Sequence, residues 1–134
     1  MDRPTVFDFT RALTLTRKCP VYQQTPLLKF KAHSGHRLLV KDETSRFRMG
    51  AFKALGGIYA MAVVLLARWR EENQTDLEPE SLFTEEIQTW SRKFTFVCAS
   101  AGNHGLAVAR GAKLFNAGCR IHLADNVPVA FENR

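Results

Sequence analysis

The segment from Phe94 to Leu123 constrains the fold more than any other part of the chain. Phe94-Thr95-Phe96-Val97-Cys98-Ala99 is rich in aromatic and β-branched residues and reads as a buried strand. It runs into the glycine turn Ser100-Ala101-Gly102-Asn103-His104-Gly105, and an apolar helix follows through about Phe115. Asn116-Ala117-Gly118 closes that helix, with Gly118 suited to a left-handed C-cap. Cys119-Arg120-Ile121-His122-Leu123 is the next strand. A strand, a helix and a strand within some thirty residues form a βαβ unit, which requires parallel pairing and a right-handed crossover. The fold class is therefore α/β.

The remaining pattern places shorter elements before this unit. Residues 1–35 carry Pro4, Pro20 and Pro26 with little periodicity, and are expected to form an extended N-terminal arm. Residues 36–134 are expected to form the α/β domain, since 134 residues suffice for one ordinary domain and not for two full-sized ones. Arg37-Leu38-Leu39-Val40-Lys41 reads as a short strand and Asp42 to Gly50 as a loop. From Phe52 to Arg70 the spacing of Leu55, Ile58, Tyr59, Ala62, Leu65 and Leu66 predicts a helix with one broad apolar face. Glu71 to Glu86 holds seven acids and no base and reads as a solvated connector. A short amphipathic helix in its second half uses Leu82, Phe83, Ile87 and Trp90, with Ser81 as its N-cap.

The formal charge is +6, but residues 1–53 balance to +7, residues 54–91 to −5 and residues 92–134 to +4. Such an excess permits anionic ligands, yet there is no Lys/Arg-rich cluster, and a solvated surface accounts for the charge. The longest stretch free of Asp, Glu, Lys and Arg, Ala54 to Ala67, falls short of the ~20 residues of a membrane-spanning helix. With no apolar leader after Met1-Asp2-Arg3-Pro4, a cytoplasmic location is expected. Cys19, Cys98 and Cys119 form no C-x-x-C pair, and Cys98 and Cys119 are expected in the core. His33, His36 and His122 have no metal-ligand spacing, so no metal is expected.

Two places can carry chemistry. Ser100 to Gly105 follows the carboxyl end of a parallel strand, where ligands of open α/β sheets bind. The N–H groups and dipole of the helix start there favour an anion such as a carboxylate. Alone, this is also what any βα turn looks like. Lys53 begins an otherwise apolar helix; partial burial would favour its neutral amine, able to form a Schiff base or take a proton. A snorkelling surface lysine is the plainer alternative. Neither a G-x-x-x-x-G-K-[ST] nor a G-x-G-x-x-G motif is present. Arg46 and Arg48 could meet an anionic group near the site or belong to a solvated loop.

Taken together and in order, three motifs resemble the N-terminal part of fold type II, or tryptophan-synthase-β-like, pyridoxal-phosphate enzymes. They are Tyr22-Gln23-Gln24-Thr25-Pro26-Leu27, then Lys41-Asp42-Glu43-Thr44-Ser45-Arg46-Phe47 leading to Ala51-Phe52-Lys53, then Ser100 to Gly105. Within that family the chain is most similar to the diaminopropionate ammonia-lyases. The resemblance implies part of a three-layer open parallel sheet with flanking helices, and pyridoxal 5′-phosphate as cofactor. It implies Lys53 as the cofactor-holding residue and general base, Phe52 beside the cofactor ring and Asn103 hydrogen-bonded to the ring hydroxyl oxygen. Ser100, Ala101, Gly102 and His104 would form the substrate-binding turn.

The implied reaction is α,β-elimination of ammonia from a small amino-acid substrate, with no nucleic-acid or membrane partner and a homodimer for the full-length protein. Two residues depart from the pattern: Ala101 stands where diaminopropionate lyases generally have aspartate, and Ala51 where many relatives have serine. Nothing after Leu123 resembles the family's glycine-rich phosphate loop, so an incomplete domain, a fragment truncated at its C-terminus, is expected. Three alternatives stay open: a threonine or serine dehydratase or synthase of the same family, a non-catalytic remnant, and an RNA-binding module using Gly102-Asn103-His104-Gly105 as a KH-type GXXG.

Overall fold

The computed structural model describes residues 9–128 and residue 130. Helix α1 (Phe9–Lys18) is followed by an antiparallel hairpin of β1 (Leu27–Lys31) and β2 (Arg37–Lys41). A single 3-10 turn (Arg46–Arg48) leads into the long helix α2 (Lys53–Asn73). After a second 3-10 turn (Pro79–Phe83) and α3 (Glu85–Ser91) come β3 (Thr95–Ala99), α4 (Asn103–Leu114) and β4 (Gly118–His122). β3 and β4 pair in parallel, Thr95 opposite Gly118 and Ala99 opposite His122, as the βαβ pattern requires. The parallel sheet is thus a partial one, of two strands among the described residues.

The irregular arm expected over residues 1–35 is corrected for residues 9–35, residues 1–8 lying outside the described part. Residues 9–18 form α1, closed by Arg17 and Lys18 in the last turn, where cations complement the helix dipole. Residues 27–31 form β1, so the domain boundary placed at 35/36 falls inside the hairpin turn, around the positive φ of Gly35. Pairing with β2 overrides the weak local pattern of this stretch; Pro4 lies outside the described residues.

One buried cluster ties the hairpin to the loop that leaves it. Arg46 is only 4% exposed. Its Nε donates to Glu43 Oε2 at 2.6 Å, and its Nη2 to Glu43 Oε1 at 2.8 Å and Thr25 Oγ1 at 2.6 Å. Its Nη1 donates to the carbonyl of Gln23 at 2.9 Å. Thr25 Oγ1 in turn donates to Glu43 Oε1 at 2.7 Å, and Lys41 Nζ donates to the Thr25 carbonyl. The guanidinium lies 5.5 Å from the Tyr22 ring centre, and that ring tilts against Phe47. Sequence alone left Arg46 as an anion ligand or a solvated loop residue; it is neither, because its donors are taken up inside the chain.

α2 buries Ile58, Ala62 and Leu65 of the predicted face together with Ala54, Gly57 and Met61, so the buried stripe is turned away from Leu55, Tyr59 and Leu66, which are only half-buried. It extends three residues past the expected Arg70 and ends on Gln74 at φ 56°. The stretch from Glu71 to Glu86 is less solvated than its charge suggested. Glu72 accepts hydrogen bonds from Trp90 Nε1 and Lys93 Nζ, Leu82 is fully buried, and Phe83 stacks on Phe115 with centroids 5.8 Å apart. Thr84, not Ser81, occupies the N-cap of α3, because Ser81 is part of the preceding 3-10 turn.

α4 ends in a Schellman motif: Ala117 N–H reaches the Ala112 carbonyl at 2.9 Å, and Asn116 takes the left-handed position at φ 57°. Gly118 is therefore not the C-cap; it opens β4, where a Cβ would stand 2.7 Å from Thr95 Oγ1. Cys119 is exposed and Cys98 half-buried, whereas Cys19 is buried, reversing the expected order. Gly105 is fixed by a tighter approach: a Cβ there would lie 2.2 Å from the Ser100 carbonyl oxygen.

Arg46→Ala strips Glu43 and Thr25 of their buried partner and is expected to lower the unfolding free energy by roughly 3 kcal/mol in urea titrations. The Arg46 guanidinium holds the Glu43 carboxyl down from 4.5 to about 2. The stability this adds is complete above the unfolded value near 4.5 and is lost as pH falls toward about 2. In Glu43→Gln, unfolding measured across that window should lose this part of its pH dependence. Gly105→Ala should cost roughly 1–3 kcal/mol in the same titration, because the obstructing atom is backbone and cannot swing aside.

Candidate functional site

Lys53 and Asn103 are fifty positions apart in sequence and begin two helices that pack on one another. The contact is set by small residues. A Cβ on Gly57 would touch Ala107 Cβ at 3.0 Å, and one on Gly111 would meet Met61 Sδ at 2.5 Å. Residue 57 therefore faces 107 and 61 faces 111, so α2 and α4 run parallel with a constant offset. The same offset carried back one helical turn brings Lys53 level with Asn103. Since α4 starts where β3 ends, both residues lie at the carboxyl end of the parallel strands, the end where α/β sheets bind ligands.

The side chains at this end are open. Lys53, Phe52, Gly102, Asn103 and His104 are exposed, and Ser100 and Ala101 are half-buried. Lys53 is exposed, as the surface-lysine alternative has it, and not partly buried. The Phe52 ring, at the N-cap of α2, is 64% exposed beside it. A lysine in the first turn opposes the helix dipole, so helix stability does not explain its place. The side chains of Lys53, Asn103 and His104 have no hydrogen-bond or ion-pair partner among the described residues.

The turn before α4 is built to present backbone. Gly102 has extended dihedrals and no side-chain cap serves α4, so the first-turn N–H groups face outward without helical acceptors. Ser100 Oγ accepts the Gly102 N–H at 3.4 Å, which draws the turn together. Nothing stands within 4 Å of where a Gly102 Cβ would be, which leaves room for a ligand against the main chain. The Gly102-to-Gly105 segment joins a strand to a helix, whereas a KH-type loop joins two helices, so the RNA-binding reading fails on topology.

The donor set fits pyridoxal phosphate: a primary amine for its aldehyde, an amide for its ring oxygen, an aromatic face and an anion-binding helix start. A cleft of about 800 Å³ lined by Leu15, Val63, Leu66, Leu77 and Pro79 lies along the far half of α2 and does not include these residues. Sequence reasoning missed the cluster that positions Lys53. The Glu43-x-x-Arg46 spacing, with Thr25 in the entry motif, was its available signal. Among the described residues no group of three potential metal ligands comes together, and no helix is long and apolar enough to cross a membrane.

The pyridoxal-phosphate dependent enzyme family profile matches residues 19–134. The diaminopropionate ammonia-lyase of Salmonella typhimurium (strain LT2) is 38% identical over 109 residues, covering 75% of this chain and 26% of that protein. The crystal structure of Escherichia coli diaminopropionate ammonia-lyase in apo form superposes with a TM-score of 0.75 at 30% identity, over 92% of this chain and 34% of that one. The same enzyme in complex with an aminoacrylate–PLP azomethine reaction intermediate matches with a TM-score of 0.71 at 28% identity, over 99% of this chain and 34% of that one. The chain spans about a quarter of the length of the curated relatives it matches. The partial α/β fold, the paired helix starts and these matches lead to one conclusion: the chain belongs to the pyridoxal-phosphate dependent enzyme family, whose cofactor is pyridoxal 5′-phosphate.

Proposed function

We propose that this chain carries the lysine-bearing part of an ammonia-lyase of the diaminopropionate type, acting on a small amino acid by α,β-elimination. The observation that supports it most is the level placement of Lys53 and Asn103 at the starts of two parallel helices. When bound, the cofactor supplies an electron sink for charge developing at the substrate Cα. Lys53 Nζ would hold its aldehyde end and would be the base placed to take the Cα proton. The Asn103 amide would donate to the ring oxygen, and Phe52 would pack along the ring. The free N–H groups at the start of α4 receive the substrate carboxylate, with Ser100, Ala101, Gly102 and His104 around it.

Ala101 offers a methyl group where the diaminopropionate-lyase pattern has an aspartate available for proton transfer. The chain therefore performs the Cα step with Lys53, and the choice of leaving group depends on residues outside this turn. The solved relatives include one in complex with D-serine, which fits an amino-acid substrate class.

Borohydride reduction of the chain with pyridoxal phosphate, followed by peptide mass spectrometry, tests this reading. The label should concentrate on Lys53 and disappear in Lys53→Ala. Labelling spread evenly over the exposed lysines overturns it. Release of ammonia and a keto acid from diaminopropionate but not from threonine would assign the substrate; the reverse preference would move the chain to the dehydratases.

A further inference from the structure

A second group of cations lies on the outer side of α4. Arg48, Met49, Leu106, Ala109, Arg110 and Lys113 line a groove of about 460 Å³, within the range of about 300–1,000 Å³ of small-molecule sites. Leu106, Ala109, Arg110 and Lys113 recur at three- and four-residue steps and so form one stripe of α4, while Arg48 and Met49 come from the loop that leads into α2. Met49, Leu106, Ala109 and Arg110 are half-buried and make an apolar floor with one guanidinium in it; Arg48 and Lys113 are exposed at the rim.

The groove holds three positive charges and no carboxylate. The ion pairs of the described residues are Lys18–Glu80, Arg46–Glu43, Arg68–Glu71, Arg70–Asp76 and Lys93–Glu72, and none involves Arg48, Arg110 or Lys113. Three like charges around one depression repel each other, and a bound anion removes that repulsion. The loop also holds Arg48 in an uncommon conformation. Phe47 and Arg48 have φ of 48° and 58°, and Phe47, 2% exposed against Tyr22, fixes the pair. Such consecutive left-handed residues are strained and persist only where surrounding packing determines them.

We infer that this groove is a binding site for a small organic anion bearing at least two negative charges and a short apolar body, either a polycarboxylate or a phosphate ester. Arg110 and Arg48 offer forked donors to its oxygens, Lys113 a point charge, and Met49, Leu106 and Ala109 a floor for its carbon skeleton. The site goes beyond the lyase reading and needs no cofactor.

Amide NMR titration of the 134-residue chain tests it, with citrate and glycerol 2-phosphate as probes and sodium chloride at matched ionic strength as control. Saturable shifts are expected at Arg48, Met49, Leu106, Arg110 and Lys113 with at least one probe, and the tighter probe identifies the anion class. Arg110→Gln should weaken binding about tenfold, as loss of a charge-assisted hydrogen bond does, with Arg110→Lys intermediate. Lys113→Gln, at an exposed position, should weaken it several-fold without altering the fold. Shifts that match the chloride control, that centre on the basic hairpin instead, or that persist unchanged in Lys113→Gln and Arg110→Gln overturn the inference.

Discussion

The buried guanidinium of Arg46 joins two parts of the chain that are distant in sequence. It takes the carbonyl of Gln23, the hydroxyl of Thr25 and both oxygens of Glu43, and so connects the segment entering the hairpin to the loop leaving it. A charge removed from water this far is unfavourable unless its donors have partners, and here Glu43 supplies two of them and the Gln23–Thr25 segment the others. The connection is thus all-or-none. With it in place, Phe47 is pinned against Tyr22, the backbone is forced through two left-handed residues, and the chain arrives at Phe52 and Lys53 in one direction only. Gly50, at φ 65°, completes that turn with the Thr44 carbonyl close by.

What the cluster does for Lys53, close helix packing does for Asn103. α2 and α4 approach closely where Gly57 meets Ala107 and Gly111 meets Met61, leaving little room for a larger side chain at either glycine. Packing this tight has one register, so sliding either helix would drive a side chain into the opposing backbone. The two helix starts are held level by contacts one and two turns away, not by any bond between the reacting groups. A rigid frame of this kind leaves Lys53, Asn103 and the Ser100–Gly102 turn free to engage a ligand with their donors unspent.

The βαβ unit was legible in the sequence because its first strand is rich in aromatic and β-branched residues, its helix is apolar and a glycine turn joins them, although β3 is half-open and not the buried strand its composition suggested. The lysine helix was legible because Ile58, Ala62 and Leu65 mark its buried side. Elements whose stability comes from partners distant in sequence were not. β1 alternates Leu27-Leu28-Lys29-Phe30-Lys31 too weakly to declare itself, and becomes a strand only beside β2. Arg46 reads as a surface cation until Thr25 and Gln23 are brought to it. Gly118 looks like a helix terminator, yet Asn116 fills that role and the glycine serves a contact with Thr95. At the site, residue identities pointed to Lys53 and Asn103, but their common level depends on a helix register that no local pattern encodes.

The hairpin has a consequence for how copies of this chain meet in solution. Its register sorts Leu28, Phe30, Leu38 and Val40 onto one side and Lys29, Lys31, Arg37 and Lys41, interspersed with Leu27 and Leu39, onto the other, and every one of these residues is exposed. An uncovered apolar ribbon with open strand edges is a template for association. The basic side acts as a gatekeeper: approaching ribbons bring eight positive charges together before their edges can pair. Colloidal behaviour is thereby coupled to ionic strength, with salt that shortens the Debye length to about 3 Å at 1 M lowering the barrier that keeps the ribbons apart.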